Sequence, residues 1–417
     1  MTDTTRRDAC IICQAPVRTV HAFGAVPLAD RLMSAPDDRV DEEDLTLQSC
    51  ASCGHLQIAE QVAPERLFTD DYPYLSGRIR EVVTHFEAYA NWAWDSLDLN
   101  PGDAVLEIAS NDGTLLCRFH ERGAKVLGVE PCERPARIAQ EDGWPTLHRF
   151  FSSALVQEVA DTLGGPPRLI LANNVIAHVP DPMDVLAGIS ALCGPDTQVV
   201  LEFQYGLRML QDLTFDLIFH QHYSYFTFSS IETALRRSGL VALDVLHVDT
   251  QGGSLRVVAA CHGTPARRVE ALRQEEEVVL RGLGGLTARF STSIEQRRTD
   301  LLHVIEGVRR RGGRIVGYGA PGKAATLLNH FGLDRSHLDA LVDNSPTKQG
   351  LFFPRAGIPI LSSDHLDQDP PEAILLLAWN YRRSILQELR SLMASSTVVI
   401  EYHPHISHRT MGELVDG

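Results

Sequence analysis

The chain has 417 residues, a net charge of −16, 44% hydrophobic and 22% charged residues, an ordinary globular composition with length for about three domains. The acid excess excludes a general nucleic-acid binder, which needs a basic face to release counterions, and eight cysteines are too few for a disulfide scaffold. No apolar window approaches the ~20 residues of a membrane span, and MTDTTRRDACIICQAP holds no signal-peptide core, so a soluble, cytoplasmic, multidomain protein without nucleic-acid or membrane partners is expected.

The first feature along the chain is a repeated pair, Cys10-x-x-Cys13 and Cys50-x-x-Cys53. A two-residue gap lets both thiolates of a knuckle face one ion, and two knuckles make a closed tetrahedral sulfur shell. That is the preferred shell of structural zinc, and it leaves no position for catalysis. The segment between the pairs, with its VPLADRLM stretch, is too small to build much core and needs such a staple. Cys117, Cys132, Cys193 and Cys261 have no metal spacing and read as small buried hydrophobes.

From residue 101 strands and helices alternate. The pattern predicts a strand over Ala104–Ile108, a loop, a helix from about Thr114, a second strand ending at Glu130, a third in PRLILANN and a fourth in DTQVVLEFQ. Such alternation implies a doubly wound parallel sheet with ligands at the carboxyl ends of its strands. Glu107 stands near the first strand end, before Ala109, Asn111, Asp112 and the Gly113 turn, and Asn173 lies in PRLILANNVIAHVPDP, where the third strand runs into a loop. Glu130, at the second strand tip, is where a carboxylate accepts ribose hydroxyls. The loop is not G-x-G-x-x-G and offers no lysine for phosphate. It therefore suits S-adenosylmethionine better than NAD.

Next comes Phe219-His220-Gln221-His222-Tyr223. If the segment is extended, both imidazoles point to one face, with an ordinary pKa suited to proton abstraction near neutrality. His330 and His337 show no partner in the sequence, and Glu401-Tyr-His403-Pro-His405-Ile-Ser-His408 reads as a solvated tail, with a metal site as the alternative. Residues 263–310 read as a helical linker with solvated charged faces. RIVGYGAPGKAATLL then sets Gly317-x-Gly319-x-x-Gly322 between strand and helix, and Asp343 follows 21 residues after Gly322. That is the dinucleotide fingerprint with its ribose acid, and it raises an NAD-dependent sugar-nucleotide oxidoreductase as an alternative.

The ordered set CxxC…CxxC, DYPYLSG, VLEIASNDGTLL, NNVIAHVPD and FDLIFHQHYSYF resembles the sugar C-methyltransferases of antibiotic deoxysugar pathways over almost the whole chain. The resemblance implies a zinc domain at 1–75, a Rossmann-like S-adenosylmethionine domain at 76–262, the linker, and a Rossmann-like α/β domain at 311–417. It also implies methylation beside the keto group of a nucleotide-linked 4-keto-6-deoxysugar. In that family the histidine segment typically reads Tyr-His-Glu-His, and its last histidine, here His222, is the base. The resemblance matches His178 to a second active-site histidine and Tyr74 to an aromatic hydroxyl on the sugar, and it leaves His220 beside them as a further candidate. Phe219 and Gln221 replace the usual tyrosine and glutamate of the sugar pocket, which leaves another acceptor, or a non-catalytic nucleotide-sugar binding protein, as further alternatives. The C-terminal domain would help enclose the nucleotide, with Lys323 and Lys348 as diphosphate donors. With no coiled-coil heptads, a monomer or weak dimer is expected.

Overall fold

The computed structural model describes residues 4–69 and 72–415. Among the described residues no helix is long and apolar enough to cross a membrane.

The central sheet has seven strands in the order Val241–Val248, Ser254–Ala260, Gln198–Gln204, Leu169–Asn173, Ala104–Ile108, Lys125–Glu130 and Thr146–His148. The last five are parallel; the Val241–Val248 and Ser254–Ala260 hairpin closes the other edge antiparallel. Runs such as Val-Leu-Glu-Ile at 105–108 and Leu-Ile-Leu-Ala at 169–172 are buried throughout, as strands covered on both faces must be. The chain reverses its progress across the sheet between Ala104–Ile108 and Leu169–Asn173, so the binding crevice of a doubly wound fold opens where Glu107 and Asn173 end their strands. The sequence expectation of a doubly wound α/β unit holds, with Ala104–Ile108 at its expected bounds. The following helix is only Leu116–His120.

The N-terminal domain is a four-stranded antiparallel sheet ordered Ser224–Tyr225, Leu56–Ile58, Glu42–Cys50 and Val17–Pro27. One strand, Ser224–Tyr225, comes from the far side of the central domain, so the segment carrying His222 is sewn into the cysteine domain.

Two helices, Arg267–Arg281 and Leu283–Arg310, lead to the C-terminal sheet. The second starts well before the amphipathic stretch evident in sequence and takes in Gly284 and Gly285. A buried stripe of Leu283, Thr287, Phe290, Ile294, Leu301, Ile305 and Val308 overrides the poor helix propensity of glycine, because packing outweighs propensity. Within the Glu275-Glu276-Glu277 run, Glu276 is not solvated. It is buried and accepts hydrogen bonds from Phe228 N at 2.6 Å, Ser229 N at 2.7 Å and the Tyr205 hydroxyl at 2.7 Å. It thereby places an acid at the N-terminus of helix Phe228–Arg237, where the dipole favours it.

The C-terminal domain has six strands in the order Ile360–Leu361, Ala340–Val342, Ile315–Tyr318, Ala373–Leu376, Val398–Glu401 and Ser407–Thr410, only the last antiparallel. Its glycine loop is built for packing. A Cβ on Gly317 would lie 2.5 Å from Leu341 Cδ2, and one on Gly319, at φ +89°, 2.8 Å from Ala378 Cβ. The Asp343 carboxylate is engaged locally, accepting Ala320 N at 2.8 Å and Ser345 N at 2.9 Å. The fingerprint therefore has a complete structural explanation that requires no dinucleotide.

Candidate active site

The four cysteine sulfurs lie within 4.8 Å of one another, with Cys10–Cys53 at 3.6 Å and Cys13–Cys50 at 3.5 Å. A tetrahedral zinc with Zn–S of about 2.3 Å sets its sulfurs about 3.8 Å apart, so the shell fits. Cys10, Cys13, Cys50 and Cys53 would hold the ion and fasten two hairpin turns together, with a closed shell that assigns it no chemical step.

At the carboxyl end of the central sheet, Glu130 accepts Asn111 N at 2.9 Å and Cys132 N at 2.8 Å, one on each oxygen. Each oxygen keeps a further lone pair for a ribose hydroxyl. Glu107 is buried, and its Oε2 has no hydrogen-bond partner among the described residues. Burial, reinforced by Asp112 and Glu130, pushes its carboxyl well above the usual range. Asn173 lies beside the Tyr89 hydroxyl, with amide atoms that lack a well-formed hydrogen bond. Unsatisfied buried polar atoms at a strand-end crevice are what a polar ligand would complete, and a nucleoside bearing hydroxyl and amino groups fits that demand.

The intervening loop differs from its expected use. Ala109 and Asn111 adopt positive φ of 53° and 49°, a conformation that non-glycine residues hold where surroundings enforce it. The Asn111 side chain accepts Ser76 N at 2.9 Å and donates to Tyr74 O at 3.2 Å, while Asp112 accepts Gly77 N at 2.9 Å. Their side chains fasten the Tyr74 segment to the loop, and so fix the position of that segment. Gly113, at φ +76°, makes room for Trp144, since a Cβ there would meet its Cδ1 at 2.5 Å. Tyr74 itself is 37% exposed. Asp71 of the same motif lies outside the described residues.

His178 sits in a short turn, Ile176–His178, between the strand end at Asn173 and the helix Pro182–Leu192. That helix is capped by Asp181, which accepts Met183 N and Asp184 N, both at 3.1 Å. The turn brings the His178 ring to 4.4 Å from the His222 ring, edge to face. His178 Nδ1 is 2.8 Å from the Gln221 carbonyl oxygen. A carbonyl only accepts, so Nδ1 carries the proton of neutral His178 and Nε2 is left as an acceptor. Phe219 tilts against His222 at 4.2 Å. Burial pushes His178 down to about 4. His222 is pushed well below its ordinary value, first by burial and then by His178 beside it. Both imidazoles are therefore neutral near pH 7.

His220 is a correction. The segment is not extended: it turns, with His222 N donating to Phe219 O at 2.9 Å, so the two rings part. The His220 ring is fully buried and bonds the Asp44 carbonyl at 3.1 Å inside the N-terminal domain. Gln221 is likewise structural on one side, donating to Leu67 O at 3.2 Å. Its amide also lies near Asp30 and favours the charged form of that carboxyl.

Asp30, from VPLADRLM, is the residue that sequence reasoning missed. Its φ is +62°, and a Cβ on Gly322 of the C-terminal domain would lie 3.1 Å from both its oxygens. Burial raises its carboxyl, opposed by nearby Lys348. Asp30, Gln221, Lys348 and Gly322 thus bring three domains to one place. The only sequence signal was a single acid, followed by Arg31, in a segment otherwise apolar.

Lys348 faces this cleft, donating to Ala320 O at 2.8 Å and lying 3.5 Å from Asp343. Lys323 does not. It is 7% exposed, 3.4 Å from Asp216 and over the Trp379 ring at 3.8 Å. Burial lowers it to about 8 against the pull of Asp216. Its ammonium is paired with Asp216 at a domain junction and makes no hydrogen bond among the described residues.

A family model for the C-methyltransferase C-terminal domain matches residues 249–404, one for a methyltransferase domain matches 78–245, and one for a zinc binding domain matches 10–68. C-methyltransferase NovU of Streptomyces niveus is 32% identical over 393 residues, covering 93% of both chains. Ubiquinone biosynthesis O-methyltransferase of Pseudomonas aeruginosa is 27% identical over 146 residues, 28% of this chain and 60% of that enzyme. Among solved structures, magnesium protoporphyrin IX methyltransferase of Synechocystis PCC 6803 with bound SAH gives a TM-score of 0.33 at 19% identity, over 42% of this chain and 82% of that one.

The placement of His220 has a direct check. His220→Asn should keep wild-type turnover, while loss of one buried hydrogen bond, about 0.5–1.5 kcal/mol, lowers the Tm of the folded chain. A loss of about 10²-fold or more in kcat, the contribution of a general base, would return His220 to the chemistry.

Proposed function

This chain belongs to the zinc-containing, S-adenosylmethionine-dependent C-methyltransferases, and from that premise we propose that it methylates the carbon beside the keto group of a nucleotide-linked 4-keto-6-deoxysugar. The observation that carries this reading is the pair of neutral imidazoles, His178 and His222, 4.4 Å apart at the ligand end of the sheet. A carbon beside a ketone becomes a nucleophile only when a proton leaves, so the reaction needs an unprotonated base in a site that excludes water.

S-adenosylmethionine supplies an activated methyl group on its sulfonium. His222 takes the proton from the sugar carbon, leaving an enolate and an imidazolium. The enolate carbon bonds the methyl carbon as the carbon–sulfur bond breaks, and the neutral thioether S-adenosylhomocysteine remains. His222 then returns its proton to solvent. His178, with Nε2 as an acceptor, takes a hydrogen bond from a sugar hydroxyl, and Tyr74 reaches the sugar from the segment fastened by Asn111 and Asp112. Glu130 accepts the cofactor's ribose hydroxyls, with Glu107 and Asn173 completing that pocket. Lys348 is the cation available to the nucleotide diphosphate.

Phe219 and Gln221 make this pocket poorer by one hydroxyl and one carboxylate than the segment it resembles. Asp30, near the Gln221 amide, supports a compensating role: the carboxylate comes from the N-terminal domain and fixes a substrate hydroxyl. Asp30→Asn should then raise KM for the sugar more than it lowers kcat.

Mass spectrometry of a nucleotide-linked 4-keto-6-deoxysugar incubated with the protein and S-adenosylmethionine tests the reading. A product heavier by one methylene unit, with one S-adenosylhomocysteine formed per product, is expected; no methyl gain across sugars of this class would contradict it. The pH dependence is a second check. A base whose folded pKa is lowered stays unprotonated below the ordinary histidine value and is lost only as pH falls through the lowered one. The acid limb of kcat/KM should therefore lie below pH ~6.5, and a limb at or above it contradicts His222 as the base.

A further inference from the structure

Away from the cleft, His330 has the partner that its sequence neighbourhood does not reveal. His21 on strand Val17–Pro27, Glu295 on helix Leu283–Arg310 and His330 on helix Ala324–Phe331 meet where the N-terminal domain, the linker and the C-terminal domain touch. His21 Nε2 lies 3.1 Å from His330 Nε2, and Glu295 Oε1 lies 3.7 Å from the first and 3.3 Å from the second.

The protons of these rings are directed elsewhere. His330 Nδ1 is 3.2 Å from the Phe23 carbonyl oxygen, which only accepts. The proton of neutral His330 is therefore on Nδ1, and Nε2 presents a bare lone pair. His21 Nδ1 is 2.9 Å from the Ser291 hydroxyl, which can take the His21 proton in the same way. Burial disfavours the charged form of both rings, and His21 is pushed down to about 4. Arg298 lies 3.9 Å from the other Glu295 oxygen, which leaves Oε1 for the junction.

With the His21 proton on Nδ1 toward Ser291, two imidazole nitrogens and a carboxylate oxygen face one another as acceptors. Such lone pairs repel unless a cation stands among them. Ligands about 2.0–2.1 Å from a tetrahedral zinc are about 3.3 Å apart, close to all three separations. The outer contacts at Phe23 and Ser291 are the kind that fix the tautomer of metal-bound histidine.

We propose that His21, His330 and Glu295 bind a second zinc ion, distinct from the four-cysteine site, with water in the fourth position beside half-exposed Glu295. The ion pins the N-terminal strand and the C-terminal helix to the linker, and so holds the domains whose junction forms the cleft. It has no part in methyl transfer, so its test is independent of the proposed reaction.

The test is metal content of the purified full chain, loaded with zinc and freed of loosely held ions. Wild type should retain two zinc ions per chain and His330→Ala one. Glu295→Gln, at a partly exposed position less able to disturb folding, should weaken the same ion, and Ser291→Ala should lower its affinity about tenfold or more. One zinc per wild-type chain would overturn the proposal and leave a proton shared between His21 and His330. Two ions retained by both His330→Ala and Glu295→Gln would overturn it equally.

Discussion

Everything about the candidate site depends on the stretch 216–225 being gripped from both sides. The C-terminal domain holds its start: Trp379 Nε1 and the Tyr402 hydroxyl both donate to Asp216 at 2.7 Å, and the Thr326 hydroxyl donates to Ile218 O. The N-terminal domain holds its end: Ser224–Tyr225 pairs with Leu56–Gln57, Ile58 N donates to Tyr223 O, and the Tyr223 hydroxyl donates to Val62 O. Each such bond contributes only about 0.5–1.5 kcal/mol net, but together they leave His222 little freedom. The cysteine site is then mechanical in effect. It organises the sheet that receives this strand, and so bears on the placement of His222.

Desolvation sets the protonation states. It outweighs the backbone hydrogen bonds at His178 and His222, with His178 adding to it at His222, and keeps both neutral; it also outweighs the backbone donors at Glu130 and raises that carboxyl. A base that is neutral because it is buried needs no carboxylate partner to make it available. The Gln221 amide, turned to Leu67, puts no charge on His222, and burial stays in control. The shared proton of a His–carboxylate pair is absent, and orientation comes instead from the Gln221 backbone, through its bond to His178.

The sequence made local and periodic features legible. Two CxxC pairs announce a shared ion because the spacing is itself the geometry, and Ala104–Ile108 is legible because its apolar run is continuous. What it hid was direction and distance. His220 and His222 share a face only in an extended chain, and the backbone turns at that point. Lys323 heads a glycine loop as a phosphate donor would, but its side chain finds Asp216, 107 residues earlier in the chain. Glu276 looks like one charge in a solvated run until its contact with the start of helix Phe228–Arg237 is seen. Asp30 and His330 are the clearest cases, since each acquires meaning only from residues in other domains.

The central claim is that His222 removes the sugar proton. It is tested most directly without methyl transfer, by following deuterium uptake from heavy water at the carbon beside the ketone in the presence of S-adenosylhomocysteine. Wild type should exchange that position, and His222→Ala, with an unchanged fold by circular dichroism, should do so about 10²–10⁴-fold more slowly. Exchange by His222→Ala at the wild-type rate would contradict the assignment of the base.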